Sequence, residues 1–200
     1  MSAKTTAKHV ATRNRALAVQ GILHEMGIDV DDPNFLNTPQ RWLNYIAHYC
    51  TPFNPADVLS VTFPLEGAED KYERAMVIQT GIPYRAICAH HLVPVLGTAH
   101  IGYIPNERVV GLSKLARLLY GVSHTKPSLQ EDVGNSVVDA LMDHLEPLGA
   151  MCVITAEHGC MSARGVEEAS GCIDTITSHV RGVFSEPAVR MEFLALAGIK

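Results

Sequence analysis

The sequence predicts an α+β fold, an antiparallel sheet covered by helices. Three observations lead there. Helical periodicity is confined to the first fifty residues and to two later blocks. The β-rich runs are grouped between and after those blocks. No strand–helix–strand alternation of the kind that builds a parallel sheet is visible. A chain of 200 residues is long enough for one well-buried core with a small helical appendage.

The elements follow in order. Residues 1–12 are polar and basic without a periodic pattern and read as an arm. Val19, Ile22, Leu23 and Met26 repeat with helical spacing and stop at Gly27. Thr38 before Pro39 marks a helix start, with Trp42, Leu43, Ile46 and Tyr49 as its apolar stripe. Pro52, Pro55 and Pro64 mark a change of pattern, which divides the chain into an N-terminal arm and helical region over 1–55 and a sheet domain over 56–200. Strands are expected at Val61–Leu65, Ala75–Thr80 and Leu92–Ile104, the last bent or bulged at Gly97 and Gly102. A helix over Leu112–Val122 presents Leu112, Leu115, Leu118 and Leu119, and another runs from Leu129 to Leu145 behind Ser128. Strands Met151–Glu157, Gly171–Ser178 and Val189–Leu194 complete the pattern, the last of them also readable otherwise.

Composition narrows the function classes. A formal charge of -5 and a pI near 6.0 lack the basic excess that drives general nucleic-acid binding, so a polyanionic substrate needs a local basic pocket. No apolar run is long enough to span a bilayer, and Lys4, Lys8, Arg13 and Arg15 precede no apolar signal core. The expectation is a cytoplasmic protein with neither membrane nor nucleic acid as partner. Five cysteines, an odd number at irregular spacing, fit a reducing compartment and leave thiols free to be ligands.

Two cysteines stand beside histidines. Cys88-Ala89-His90-His91 sets a thiolate and an imidazole three residues apart, a spacing at which both reach one ion from a tight turn. Catalytic zinc takes three protein ligands and keeps a fourth position for water. Cys160 is the best third ligand: Gly159 before it gives the backbone room, and on an extended strand His158 would share its face. Cys50, Cys152 and Cys172 sit in apolar or strand-like settings and read as core, and His100 reads as a structural histidine. A zinc-stabilised binding subunit without catalysis would instead fill all four positions, with Cys152 or His100 as the fourth ligand.

Several longer runs are more specific than these pairs. Cys88-Ala89-His90-His91-Leu92-Val93-Pro94, Gly97-Thr98-Ala99-His100-Ile101-Gly102-Tyr103-Ile104-Pro105 and Gly111-Leu112-Ser113-Lys114-Leu115-Ala116-Arg117 occur in that order. Leu129-Gln130-Glu131, His158-Gly159-Cys160-Met161-Ser162-Ala163-Arg164-Gly165 and Arg190-Met191-Glu192-Phe193-Leu194 follow. Together with Thr38-Pro39-Gln40-Arg41, they resemble the GTP cyclohydrolase I family over roughly residues 35 to 195. The resemblance implies a T-fold (tunnelling fold): an antiparallel sheet with two helices on one face behind a helical N-terminal region. It also implies a ring-shaped homo-oligomer, commonly a homodecamer, with active sites at subunit interfaces.

Carried over residue by residue, the resemblance assigns zinc to Cys88, His91 and Cys160, and proton transfer to His90 and His158. It assigns the ribose to Ser113, the triphosphate to Lys114, Arg117 and Arg164, and guanine to Gln130 and Glu131. The implied reaction converts GTP and water to 7,8-dihydroneopterin triphosphate and formate, a first step towards tetrahydrofolate, other pterins or deazaguanines. The chemistry agrees: zinc makes hydroxide available near neutral pH, histidine titrates where a proton must move, and Arg and Lys bind phosphate by charge. A carboxylate accepts two hydrogen bonds from the N1 and 2-amino edge that adenine lacks. Ala89 stands where the family commonly has glutamate, Glu167 where many members carry arginine, and Ser123-His124-Thr125-Lys126-Pro127 replaces a Gln-Arg-rich lead-in. Blander roles compete for some residues. Ser128 and Glu131 have capping-box spacing, Ser113 could cap its helix, Lys114 and Arg117 could form a solvated face, and Arg164 could be a turn charge.

Overall fold

The computed structural model describes residues 15–65, 74–163 and 173–199. The residue 1–12 arm, Arg164, Glu167 and Cys172 lie outside them. The chain divides into two compact units, Met1–His48 and Tyr49–Lys200.

In the first unit, helix α1 covers residues 15–25, and the chain leaves it through Gly27 at φ 77. Helix α2 is Thr38–His48. Of the two expected stripes, Val19 is buried, whereas Ile22, Met26 and Trp42 are exposed. The single chain therefore leaves apolar helix surface uncovered.

The second unit is built in chain order from helix α3 (Pro55–Leu59), strands β1 (Thr62–Pro64), β2 (Val77–Ile87), β3 (Pro94–Ile104) and β4 (Arg108–Val110), and helices α4 (Ser113–Ser123) and α5 (Gln130–Leu145). Strand β5 (Gly149–His158), the single-turn helix α6 (Gly159–Ser162), strand β6 (Asp174–Gly182), a 3-10 turn (Val183–Ser185) and helix α7 (Pro187–Ala197) follow. The main sheet has the order β2-β3-β5-β6, antiparallel throughout, and β1 pairs with β4 beside it.

Alternation along the central strand β5 explains the layering. Ala150, Cys152, Ile154 and Ala156 point into one core with Leu115, Leu118 and Leu119 of α4 and Val137, Val138 and Leu141 of α5. Met151 and Val153 point the other way, against Phe184 and Phe193. Each of those leucines stabilises the fold by about 1.5–3 kcal/mol when fully buried, so two helices of modest length hold one whole face of the sheet.

Several expectations are corrected. Val189–Leu194 is not a strand but lies within α7, started by Pro187 and closed at Gly198 with φ 71; Phe193 alone of that helix is fully buried. The irregularity expected in β3 lies in its neighbour: the register shifts between Gln79 and Ile82, where Gly81 adopts φ 65. Gly97 and Gly102 serve close approach instead. A Cβ on Gly97 would lie 2.0 Å from Thr155 O, and one on Gly102 would lie 2.7 Å from the Phe193 ring. Leu112, expected on the buried face, caps α4 from outside and is 68% exposed. Cys50, expected in the core, is exposed.

Candidate active site

The β2–β3 connection builds the first half of the site. Cys88 immediately follows β2, its N–H donates to Val93 O and its carbonyl accepts from Leu92 N, each at 2.9 Å. Closing so short a loop forces Leu92 to φ 55, a left-handed conformation that costs a non-glycine residue roughly 1 kcal/mol. That turn carries His90 and His91 outward on exposed positions while Cys88 stays buried. A bridge from Cys88 to Ser128 ties the turn to the segment leading into α5.

The second half arrives through strand register. Val95 pairs with His158, which brings the end of β5 beside the start of β3. Gly159 permits the approach, since a Cβ there would sit 2.9 Å from Pro94 O. Cys160 is not on the strand with His158, as extended geometry would have it. The strand stops at His158 and Cys160 lies in the α6 turn.

These two halves bring Cys88, His91 and Cys160 together with one ligand atom of each within 4.8 Å of the others. Cys88 Sγ and His91 Nδ1 are 3.8 Å apart. Tetrahedral zinc at its usual bond lengths would space such ligands by about 3.5–3.8 Å, so the donor types fit and the Cys88–His91 separation matches. Among the described residues this is the one group of three that could hold a metal. Cys152 does not join it: it pairs with Ile101 in mid-sheet, and burial pushes its thiol up to about 12, which keeps it protonated when a ligand must be thiolate. His100 pairs with Val153, also in mid-sheet, and burial holds its imidazole below the usual histidine range. Neither candidate for a fourth protein ligand is in place.

The start of α5 lies against the same end of the sheet. Gln130 is 2% exposed, and its Nε2 donates to Ile154 O and Thr175 O, each at 3.0 Å, with Thr177 Oγ1 at 3.2 Å. Its Oε1 lies 2.8 Å from His158 Nε2. Glu131 beside it is exposed. The capping-box alternative for Glu131 fails, because Leu129 is the N-cap with no side-chain cap bond, and Ser128 Oγ donates to Lys126 O at 2.9 Å. Its carboxylate is left at a helix N-terminus, where the helix dipole favours negative charge. Thr175 and Thr177, which hold Gln130, were not singled out from sequence; their alternation along a strand was the available signal.

Ser113, Lys114 and Arg117 sit elsewhere. Ser113 opens α4 without capping it. That helix begins just after Val110, whose N–H donates to the Tyr103 hydroxyl at 3.0 Å. Tyr103 is at the far end of β3 from Val95, about 26 Å of strand away at the usual rise per residue. The candidate metal trio and the basic start of α4 therefore occupy opposite ends of one chain's sheet. Arg164 lies outside the described residues.

The profile of the GTP cyclohydrolase I family matches residues 16–198. The chain belongs to that family. It is similar to "GTP cyclohydrolase 1" of Dehalococcoides mccartyi, with 41% identity over 184 residues, 90% of this chain and 93% of that one. The Thermobifida fusca protein of the same name is 42% identical over 84% of this chain and 79% of its own. The Saccharomyces cerevisiae protein is 39% identical over 90% and 72% respectively. The chain is thus an enzyme, a hydrolase of the GTP cyclohydrolase I type. No helix among its described residues is long and apolar enough to cross a membrane.

Proposed function

We propose that this GTP cyclohydrolase I family enzyme converts GTP and water to 7,8-dihydroneopterin triphosphate and formate at a zinc site formed by Cys88, His91 and Cys160. The observation that carries this reading is the convergence of those ligands from two separate chain segments, with His158 and the exposed Glu131 at the same end of the sheet. The chemistry zinc supplies when bound is activation of water for attack at C8 of the purine, which opens the imidazole ring.

The chain's own residues do the rest. Glu131 accepts from the N1 and 2-amino edge of guanine and fixes which carbon faces the metal. His90, on the ligand loop, and His158 donate or take the protons that ring opening and loss of formate require. Ser113 orients the ribose for its rearrangement, and Lys114, Arg117 and Arg164 hold the triphosphate. Lys114 and Arg117 lie three apart on α4 and so present both charges on one side. The test is incubation of purified enzyme with GTP, following formate and pterin fluorescence. Stoichiometric release of both is expected, and a formamide product that retains C8 would contradict full turnover.

A second copy of the chain completes the site. The distance between the metal end and the α4 end supports this, because one nucleotide cannot be held by both ends of the same sheet. Exposed Ile22, Met26 and Trp42, and Ile176 on the edge strand β6, supply apolar surface for an oligomer. The reading is a cytoplasmic T-fold homo-oligomer, in this family commonly a decamer, with no nucleic-acid or membrane partner. A complementation experiment tests the shared site. Cys160→Ala and Lys114→Ala chains are each inactive alone, and when mixed one to one by co-expression they are expected to regain about a quarter of the wild-type sites. No recovery in a verified hybrid would mean that each chain builds its site unaided.

A further inference from the structure

We infer that Gln130 is a positioning residue that fixes the ring orientation and tautomer of His158, and that it does not read the nucleotide base. This rests on the proton-transfer role proposed for His158. The observation is the way the Gln130 amide is spent. One end of it faces two backbone carbonyls, Ile154 O and Thr175 O, both at 3.0 Å. Carbonyls only accept, so that end is the NH2 group, and its two hydrogens are used by the central strand β5 and the edge strand β6.

The other end is then the amide oxygen, which also only accepts. It lies 2.8 Å from His158 Nε2, so the imidazole must carry its hydrogen on Nε2. In the neutral ring the lone pair falls to Nδ1. The same bond removes the freedom of the ring to flip, since a flipped ring would turn a carbon towards the amide oxygen. Guanine has no equivalent claim on Gln130. The side chain is 2% exposed, and reaching a base would strip hydrogen bonds from both strands and from His158 at once. Glu131, next in sequence and exposed, is free to take the base without that cost. Gln130 thus converts the docking of α5 on the sheet into a fixed proton position at the site.

The test uses oligomeric, zinc-loaded enzyme labelled with 15N-histidine, with His158 assigned by subtraction of the His158→Ala spectrum. Magic-angle-spinning NMR is expected to show Nε2–H at His158 in the wild type. Gln130→Met, which keeps the shape and removes both donor and acceptor, should shift His158 to mixed tautomers. It should lower kcat on GTP roughly tenfold or more while KM stays within about twofold. Gln130→Glu keeps an acceptor for Nε2 but sets its second oxygen against the Ile154 and Thr175 carbonyls, so it should keep hydrogen on Nε2 while melting at a lower temperature than the wild type. A wild-type Nδ1–H tautomer would overturn the inference whether or not either variant folds. So would a Gln130→Met enzyme whose KM rises with kcat and the His158 spectrum unchanged, which is the signature of a base reader. Absence of formate from wild-type enzyme would overturn the proposed reaction instead, and leaves the tautomer measurement standing.

Discussion

Cys160→Ala is expected to yield a folded enzyme that binds no zinc at purification and releases formate from GTP at least about 1,000-fold more slowly. Losing an outer partner of a metal ligand already costs about 10–100-fold in affinity or activity, and this change removes one of three ligands. Among the described residues, neither candidate for a fourth ligand can substitute. Cys152 sits in mid-sheet with its thiol pushed up to about 12 by burial, and His100 is also in mid-sheet. Cys160 itself is partly exposed in a single-turn helix, so its truncation leaves no large core cavity and the fold should persist. His158→Ala provides the contrast, because it should keep the metal and lose rate. Metal content per subunit by mass spectrometry, read beside formate release, separates the two. A Cys160→Ala enzyme that kept one tightly bound zinc would remove Cys160 from the ligand set.

Gly97→Ala should produce a large loss of stability. The new Cβ would lie 2.0 Å from Thr155 O, 2.6 Å from Ala156 Cα and 2.7 Å from Ala156 Cβ. These atoms belong to the central strand, which is paired on both sides, so relief requires β3 and β5 to separate. Overpacking of a core costs typically 1–3 kcal/mol when side chains can yield. Here backbone must yield, and about 3 kcal/mol or more is expected, with Tm falling by roughly 6–12 °C for a chain of this size. Since Val95 and His158 pair two steps further along the same ladder, the separation should also weaken zinc binding. Gly111→Ala is the control: its Cβ would meet nothing closer than 3.7 Å and should change stability by no more than about 0.5 kcal/mol. Thermal melts of the two variants side by side decide the matter.

What the sequence disclosed and what it withheld follow from the range of the forces involved. Helices α4 and α5 were legible because their leucine and valine spacing encodes burial directly. Cys88 and His91 were legible because three peptide units of backbone suffice to bring them together. Cys160 could be paired with them from residue chemistry, but its place in a helical turn could not, because the stop of β5 is set by register with β3. The helix over Pro187–Ala197 was hidden by its composition. Val189, Met191, Phe193 and Leu194 suit a strand or a helix, and packing of Phe193 against Phe184 selects the latter. The capping-box spacing at Ser128 misleads for a similar reason, because Ser128 is drawn into a bridge with Cys88. The bonding of Gln130 depends on Ile154, Thr175 and Thr177, none near it in sequence, and only the assembled sheet reveals it.

The most direct test of the central claim is titration of zinc into chelator-stripped, oligomeric enzyme supplied with GTP. Formate release should rise in proportion to added zinc and level off at one zinc per subunit, with X-ray absorption giving two sulfur and one nitrogen protein ligands plus one oxygen. Full activity in the stripped protein, or a fourth protein ligand on the bound zinc, would contradict an open, water-activating site at Cys88, His91 and Cys160.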